Sequence, residues 1–229
     1  MRQHYKSCTI VFDGYEGSST KSNEHMRRTG GGRLCPNVDV IGCNKVPFPQ
    51  DRFLANDENK AGFIRLLGEK LEQCGQIVKI CKGDADTVIV STTIEKAELN
   101  STFVVTVADD TDVAMMLIYH WQERHGDIVF FQERENRGWK IKDVCRECDS
   151  FREHILFVHA FSGCYTTSAP FSRGKRSFLT SAINNEGMQI LSDTMNDVWA
   201  GQEEVGEAAI KAFQIIYSGN DKDTLCKVR

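Results

Sequence analysis

The sequence predicts an α/β fold, in which a parallel β-sheet is covered by helices on both faces and is followed by a helical C-terminal portion. Up to about residue 131, short continuous apolar runs alternate with helical patterns. Continuous apolar strands separated by helices are typical of parallel sheets that are buried on both faces. From about residue 150 onwards the periodicity is helical almost throughout, and glycines separate the segments.

Strands are predicted from short β-branched and aromatic runs. Residues 8–12 (CTIVF) form such a run and end at Asp13-Gly14, the pattern of a buried strand that closes in a turn. Residues 30–51, by contrast, hold three of the four prolines and predict a long flexible connection. Further strands are expected at residues 76–81, 103–107 and 127–131.

Helices are predicted from apolar residues that recur at i, i+3 and i+4. The clearest covers residues 57–73, whose start Asn56 or Asp57 can cap. Further helices are expected at residues 84–97, 113–121, 151–161, 175–183, 188–199 and 203–217. We therefore expect an α/β domain over residues 1–149, a helical region over 150–217 and a polar tail over 218–229.

Charge and cysteine content limit the function classes and the compartment. With 28 Lys and Arg against 32 Asp and Glu, the net charge of −4 excludes a polycation that coats nucleic acid, so phosphate binding needs a local basic patch. No apolar run approaches the roughly 20 residues that a membrane helix needs, which predicts no membrane contact. The nine cysteines are irregularly spaced and no apolar leader precedes them, so we expect an intracellular protein, nuclear or cytoplasmic.

Acidic residues follow three of the predicted strands. They are Asp13, then Asp84 and Asp86, then Asp109, Asp110 and Asp112. Because parallel strands end at the same edge of a sheet, these carboxylates are expected to converge and to need a cation that compensates their mutual repulsion. Hard oxygen ligands of this kind suit Mg²⁺ or Mn²⁺. The alternative is a structural role, because an aspartate after a strand is also a common turn or helix-cap residue.

The order of these motifs resembles the flap endonuclease branch of the PIN-like nuclease superfamily. The motifs are VFDG at 11–14, GDAD at 83–86, DTD at 110–112, and SGCY at 162–165 followed by SRGK at 172–175. The resemblance covers about residues 9–184. The sequence is especially similar to asteroid-like and transposon-associated relatives, in which a VFDGY-like segment, STK and HxRR precede the GDAD-like and DTD-like motifs.

The resemblance implies a PIN-like fold for residues 1–149 and a metal-dependent, structure-specific nuclease that acts on nucleic-acid phosphodiesters. Asp13 matches the acid at the end of the family's second strand, and the next two motifs match its paired acids. By this resemblance the residues that hold Mg²⁺ or Mn²⁺ and catalyse are Asp13, Asp84, Asp86, Asp110 and Asp112. Asp109 is expected to be a neighbour rather than a ligand.

Two departures from the family pattern bear on catalysis. The family begins with an earlier strand that carries another acid, whereas only twelve residues precede Asp13, so we expect an N-terminally truncated member. The family also has an acid after its Gly-Cys pair, where this sequence has Tyr165, and a phenol with a pKa near 10 is a poor ligand for a hard metal. An impaired nuclease and a catalytically inactive nucleic-acid-binding or scaffold protein therefore both stay open.

Two basic segments are candidate nucleic-acid contacts, with DNA expected rather than RNA. In the family, the segment after the VFDG motif forms a gateway over the active site, and a helix-turn-helix hairpin grips the duplex backbone. The matching residues are Lys21, Arg27 and Arg28, near His25 and Arg33, for the gateway and Arg173, Lys175 and Arg176 for the hairpin. The alternatives are a solvated basic helix end and an ordinary turn between helices.

The remaining motifs favour structural roles. Cys145 and Cys148 form the only CxxC, but a structural zinc site needs four ligands and no second ligand pair stands close by. His159 lies on a largely apolar helix and is expected to be a core histidine. No phosphate-binding glycine loop or nucleophile elbow occurs in the sequence.

Overall fold

The computed structural model of the protein describes residues 8–14, 35–99, 103–164 and 169–218, except for the side chains of Ala182 and Ser218. The chain divides into two compact units, Met1–Ile89 and Val90–Arg229. Small parallel sheets are flanked by helices, which confirms the predicted α/β class. The expected domain boundary near residue 150 stays a prediction.

The first unit is built on two parallel strands. Strands β1 (Thr9–Phe12) and β2 (Ile77–Ile80) pair in register, with Thr9 opposite Ile77 and Phe12 opposite Ile80. The described part of the connection between them contains two helices, α1 (Gln50–Leu54) and α2 (Asp57–Gln73). The bounds of α2 confirm the predicted helix, and the Asn56 side chain caps it by accepting a hydrogen bond from the Asn59 N–H at 3.1 Å.

Two asparagines hold the proline-containing segment before α1. The Asn59 side chain is fully buried, accepts from the Val38 N–H at 2.7 Å and donates to the Pro36 carbonyl at 3.0 Å. The Asn56 amide donates to the Cys35 carbonyl at 2.7 Å. The described part of the expected flexible connection is therefore tied to the start of α2, because the amide side chains pair its backbone groups.

The second unit contains a mixed sheet. Helix α3 (Ala85–Leu99) begins in the first unit and continues into the second. Strands β3 (Val104–Val107) and β4 (Ile128–Gln132) are parallel and are joined through helix α4 (Thr111–His120), whereas β5 (Arg137–Lys140) pairs antiparallel with β4. The described strands thus form a two-stranded and a three-stranded sheet. Strand β5 escapes prediction because RGWK lacks an apolar alternation; Asn136, at φ 48°, makes the preceding turn.

Short helices follow the second sheet. They are α5 (Ile141–Glu147), a 3₁₀ segment (Asp149–His154), α6 (Ile155–Phe161), α7 (Lys175–Asn184), α8 (Glu186–Asn196) and α9 (Gln202–Ser218). Helices α6 to α9 share a core that includes Phe157, Phe178, Met188, Leu191 and Ala212. Helix α8 ends before the predicted residue 199, because its C-cap Asp197 is extended and Trp199 is 90% exposed. Among the described residues, no helix has the length and apolar character to cross a membrane.

Candidate metal centre

Two of the predicted acids cap the start of α3. The Asp13 Oδ1 atom, just after β1, accepts a hydrogen bond from the Ala85 N–H at 2.9 Å. The Asp84 Oδ1 atom accepts from the Asp86 N–H at 3.3 Å. These bonds pair two backbone donors that the first turn of an α-helix leaves without an intrahelical partner. Burial raises the pKa of the nearby Cys81 thiol, and the negative charges of Asp13 and Asp84 add to the increase.

Close backbone packing explains the glycine of the VFDG motif. The Gly14 N–H donates to the Gly83 carbonyl at 3.0 Å, which brings the end of β1 against the loop that follows β2. A β-carbon at this position would collide with the Cys81 carbonyl oxygen and would lie 2.7 Å from the Lys82 carbonyl carbon. Only glycine fits, and the Asp13 carboxylate is placed beside the start of α3 as a result.

The other predicted acids lie at the start of α4. Asp110 is the N-cap, and its Oδ1 atom accepts from the Asp112 N–H at 2.9 Å. Asp109 has different partners: its carboxylate accepts from the Arg134 N–H at 3.1 Å and forms an ion pair with the Arg134 side chain at 3.2 Å. Its carboxylate is thus paired with Arg134, and the expectation that Asp109 is not a ligand stays a prediction.

Three carboxylates form an acid cluster, which we define as Asp86, Asp110 and Asp112. One oxygen of each lies within 4.8 Å of the others. Asp86 is in the first turn of α3, most of which belongs to the second unit, where Thr93 on α3 is hydrogen-bonded to Thr106 on β3 at 2.8 Å.

The acid cluster fits a divalent cation. Two ligands of one Mg²⁺ ion at about 2.1 Å lie at most about 4.2 Å apart, so small side-chain rotations would bring all three carboxylates into its coordination shell. Oxygen-only donors are the set that hard cations select. Each carboxylate has roughly four acceptor positions, so an aspartate that accepts one amide hydrogen bond can still ligate an ion. The capping role and the ligand role are therefore compatible.

The predicted site residues are thus distributed as follows among the described residues. Three of the five proposed ligands form the acid cluster. Asp13 and Asp84 are not part of it; they cap α3, and their role as ligands stays a prediction. Tyr165 lies outside the described residues. So do the gateway residues, which are Lys21, His25, Arg27, Arg28 and Arg33.

A polar contact that the sequence does not predict adjoins the acid cluster. The His159 Nε2 atom lies 2.7 Å from the Asp112 Oδ1 atom, and the His159 Nδ1 atom lies 3.1 Å from the Lys175 Nζ atom. His159 is buried, as expected for a core histidine, but both ring nitrogens have polar partners. No local spacing reveals this contact, because its members are 47 and 16 residues apart in the chain.

The basic turn before α7 is tied to the end of α9. The Arg173 guanidinium donates to the Tyr217 carbonyl at 3.3 Å and lies 5.8 Å from the centroid of the Tyr217 ring. The Tyr217 hydroxyl in turn donates to the Phe171 carbonyl at 3.1 Å. Ser172 has φ 56°, a left-handed conformation that glycine adopts more readily. Arg176 is exposed.

The CxxC pair is part of the core. Cys145 and Cys148 are buried, and their thiols donate to the carbonyls of Ile118 and Cys145 at 3.5 and 3.7 Å. Burial raises the pKa of both thiols, which disfavours the thiolate that a zinc ligand requires. Within the described ranges, the acid cluster is the only group of three or more such side chains with metal-binding spacing.

Comparison with known proteins shows the fold. The T5 5'-exonuclease, in a structure with divalent metal ions (zinc) bound, matches with a TM-score of 0.51 and 12% identity over 94% of this chain and 74% of its own. A bacteriophage T5 D15 flap endonuclease, in a pseudo-enzyme-product complex with DNA and metal ions, has a TM-score of 0.48 and 11% identity over the same shares. No family profile and no curated protein matches the sequence. The match to the T5 5'-exonuclease shows that the chain has a fold like that of this protein.

Proposed function

We propose that this chain is a metal-dependent, structure-specific nuclease-like protein that acts on nucleic-acid phosphodiesters. The observation that carries the proposal is the acid cluster, three carboxylates within 4.8 Å on a nuclease fold. Carboxylates at this spacing repel one another, by about 1 kcal/mol per pair at 4 Å in water, and a divalent cation would remove that repulsion. A bound cation would also stabilise the charge that develops on phosphodiester oxygens during hydrolysis.

The proposed ligands are the acid cluster, with Asp13 and Asp84 as further carboxylates of the same centre. We favour Mg²⁺ or Mn²⁺ over zinc, because every proposed donor is a carboxylate oxygen and neither imidazole nor thiolate belongs to the group. The structure of the T5 5'-exonuclease contains zinc, which also accepts carboxylate oxygens. Titration of the protein with Mg²⁺, Mn²⁺ and Zn²⁺ would show which ion binds most tightly.

The proposed nucleic-acid interface is the basic turn with Arg173, Lys175 and Arg176. Its local positive charge contrasts with the net charge of −4, and Arg176 is exposed for a phosphate contact. The gateway residues Lys21, Arg27 and Arg28 would complete the interface, and DNA is the proposed substrate. The motif order supports a PIN-like member of the asteroid-like or transposon-associated type.

A nuclease assay with matched variants tests the proposal. Purified protein is incubated with end-labelled flapped and single-stranded DNA in Mg²⁺, Mn²⁺ or EDTA. We expect metal-dependent cleavage that Asp110→Asn abolishes. Asp197→Asn is the control, because the Asp197 side chain also accepts a backbone N–H two residues on, from Trp199 at 2.9 Å. Cleavage that persists in Asp110→Asn contradicts catalysis at the acid cluster, and absence of cleavage by the unmodified protein contradicts the enzymatic proposal.

A further inference from the structure

Three residues of the second unit are linked in series by two polar contacts, and the last of the three belongs to the acid cluster. Lys175 is the first residue of α7, His159 lies on α6 and Asp112 lies in the first turn of α4. The Lys175 ammonium contacts one nitrogen of the imidazole at 3.1 Å, and the other nitrogen contacts the carboxylate at 2.7 Å. His159 is 8% exposed. The imidazole is thus held between two polar partners, and both contacts are partly buried.

The chemistry of the two ends assigns the tautomer of the imidazole. An ammonium group has three donors and no acceptor, so the His159 Nδ1 atom that faces Lys175 must accept. The ring proton is therefore on Nε2, where the Asp112 carboxylate, which only accepts, receives it. Of the two tautomers, only the Nε2–H form leaves no donor facing a donor at either ring nitrogen.

We propose that His159 and Lys175 are positioning residues for Asp112. The ammonium of Lys175 keeps the proton on Nε2, and the Nε2–H group holds one oxygen of the Asp112 carboxylate, which leaves the other oxygen for a divalent cation. This inference rests on the proposed function, because it requires that the acid cluster binds a cation. It adds that Lys175, predicted to bind phosphate, also acts on the metal centre through His159.

We expect replacement of His159 or Lys175 to weaken metal binding by the acid cluster. Partners that orient a metal ligand typically contribute about 10- to 100-fold to metal affinity. Without His159, the Asp112 side chain would lose the hydrogen bond that fixes its orientation. Cation binding would then have to order this side chain, and the entropy lost in doing so lowers the metal affinity. We expect a smaller, several-fold loss when Lys175 is replaced, since the imidazole would remain but would sample both tautomers.

Manganese titration of matched variants tests the inference. Free Mn²⁺ is measured by electron paramagnetic resonance for the unmodified protein, His159→Leu, His159→Gln and Lys175→Met, all without nucleic acid. We expect about 10- to 100-fold weaker binding by His159→Leu and partial recovery by His159→Gln, whose amide can still donate. The controls are His154→Leu, a partly buried histidine bonded to Ser192 at 3.0 Å, and Lys142→Met, an ion-paired lysine.

A second readout does not depend on any metal. Nitrogen-15 NMR of the histidine rings reports which nitrogen carries the proton, and we expect His159 in the Nε2–H form in the unmodified protein and a mixture in Lys175→Met. Lys175 is exposed, so this variant tests the inference even if His159→Leu does not fold.

The outcomes separate the inference from the proposed function. Unchanged manganese affinity in both His159→Leu and Lys175→Met, or an Nδ1–H tautomer in the unmodified protein, overturns the positioning role and leaves the metal centre intact. A complete lack of manganese binding by the unmodified protein overturns the proposed metal centre itself, and the positioning role with it.

Discussion

Replacing Asp110 by asparagine separates its two roles, because asparagine caps a helix about as well as aspartate but carries no charge. In the structure, the Asp110 side chain accepts the Asp112 N–H at 2.9 Å and one of its oxygens belongs to the acid cluster. Asp110→Asn therefore keeps the cap and removes the charge. Asp110→Ala removes both, and the loss of the cap alone is expected to cost about 1 kcal/mol of the free energy of unfolding.

The magnitudes predict that the order of stability reverses when metal is added. Without metal, Asp110→Asn relieves repulsion by two neighbouring carboxylates, about 1 kcal/mol each at the water-like dielectric of an exposed side chain, so it is expected to unfold roughly 4–8 °C above the unmodified protein. With free ion at about 100 times the dissociation constant, the unmodified protein gains about 2.7 kcal/mol, roughly 5–10 °C. Asp110→Asn is expected to gain far less.

Thermal unfolding followed by circular dichroism, in EDTA and in a series of Mn²⁺ concentrations, measures both effects. Asp197→Asn is the matched control and is expected to behave as the unmodified protein in both conditions. If Mn²⁺ raises the unfolding temperature of Asp110→Asn and of the unmodified protein equally, Asp110 is only a helix cap and the reasoning is refuted.

Three further predictions concern the backbone and the thiols. Ser172→Gly is expected to stabilise the protein by about 0.5–1 kcal/mol in urea unfolding, because glycine relieves the left-handed conformation; a loss of stability would contradict this. Gly14→Ala is expected to lower the free energy of unfolding by about 1–3 kcal/mol, whereas Gly206→Ala, with open space around it, should not lower it. At about pH 8, iodoacetamide should modify exposed Cys43 much faster than buried Cys145, whose raised pKa reduces its thiolate fraction; equal rates by mass spectrometry would exclude that burial.

Local sequence signals predicted the elements that have strong periodicity. Helix α2 was predicted to its bounds because an amphipathic pattern follows a capping asparagine. The sequence does not predict α1, β5 and α5, because β5 lacks an apolar run and the helices are too short for a sustained helical period. Their formation depends on tertiary contacts, as with Phe53 of α1 and Ile141 of α5, both almost completely buried.

The candidate site was predictable only where it lies at strand ends. The rule that parallel strands end at one sheet edge pointed to the three members of the acid cluster, although β2 and β3, which precede them, belong to different sheets in the described part of the chain. It did not distinguish them from Asp13 and Asp84. These two also come just after strands, but their side chains cap α3. The contact between Lys175, His159 and Asp112 was not predictable, because it depends on how α4, α6 and α7 pack and no spacing in the chain encodes that.

A crystal structure of the protein soaked in Mn²⁺, with anomalous diffraction recorded to locate the ion, tests the metal centre most directly. We predict one ion within about 2.3 Å of carboxylate oxygens of Asp86, Asp110 and Asp112, displaced when Asp110 is replaced by asparagine. An acid cluster that remains empty at saturating Mn²⁺, or an ion bound elsewhere, would contradict the account.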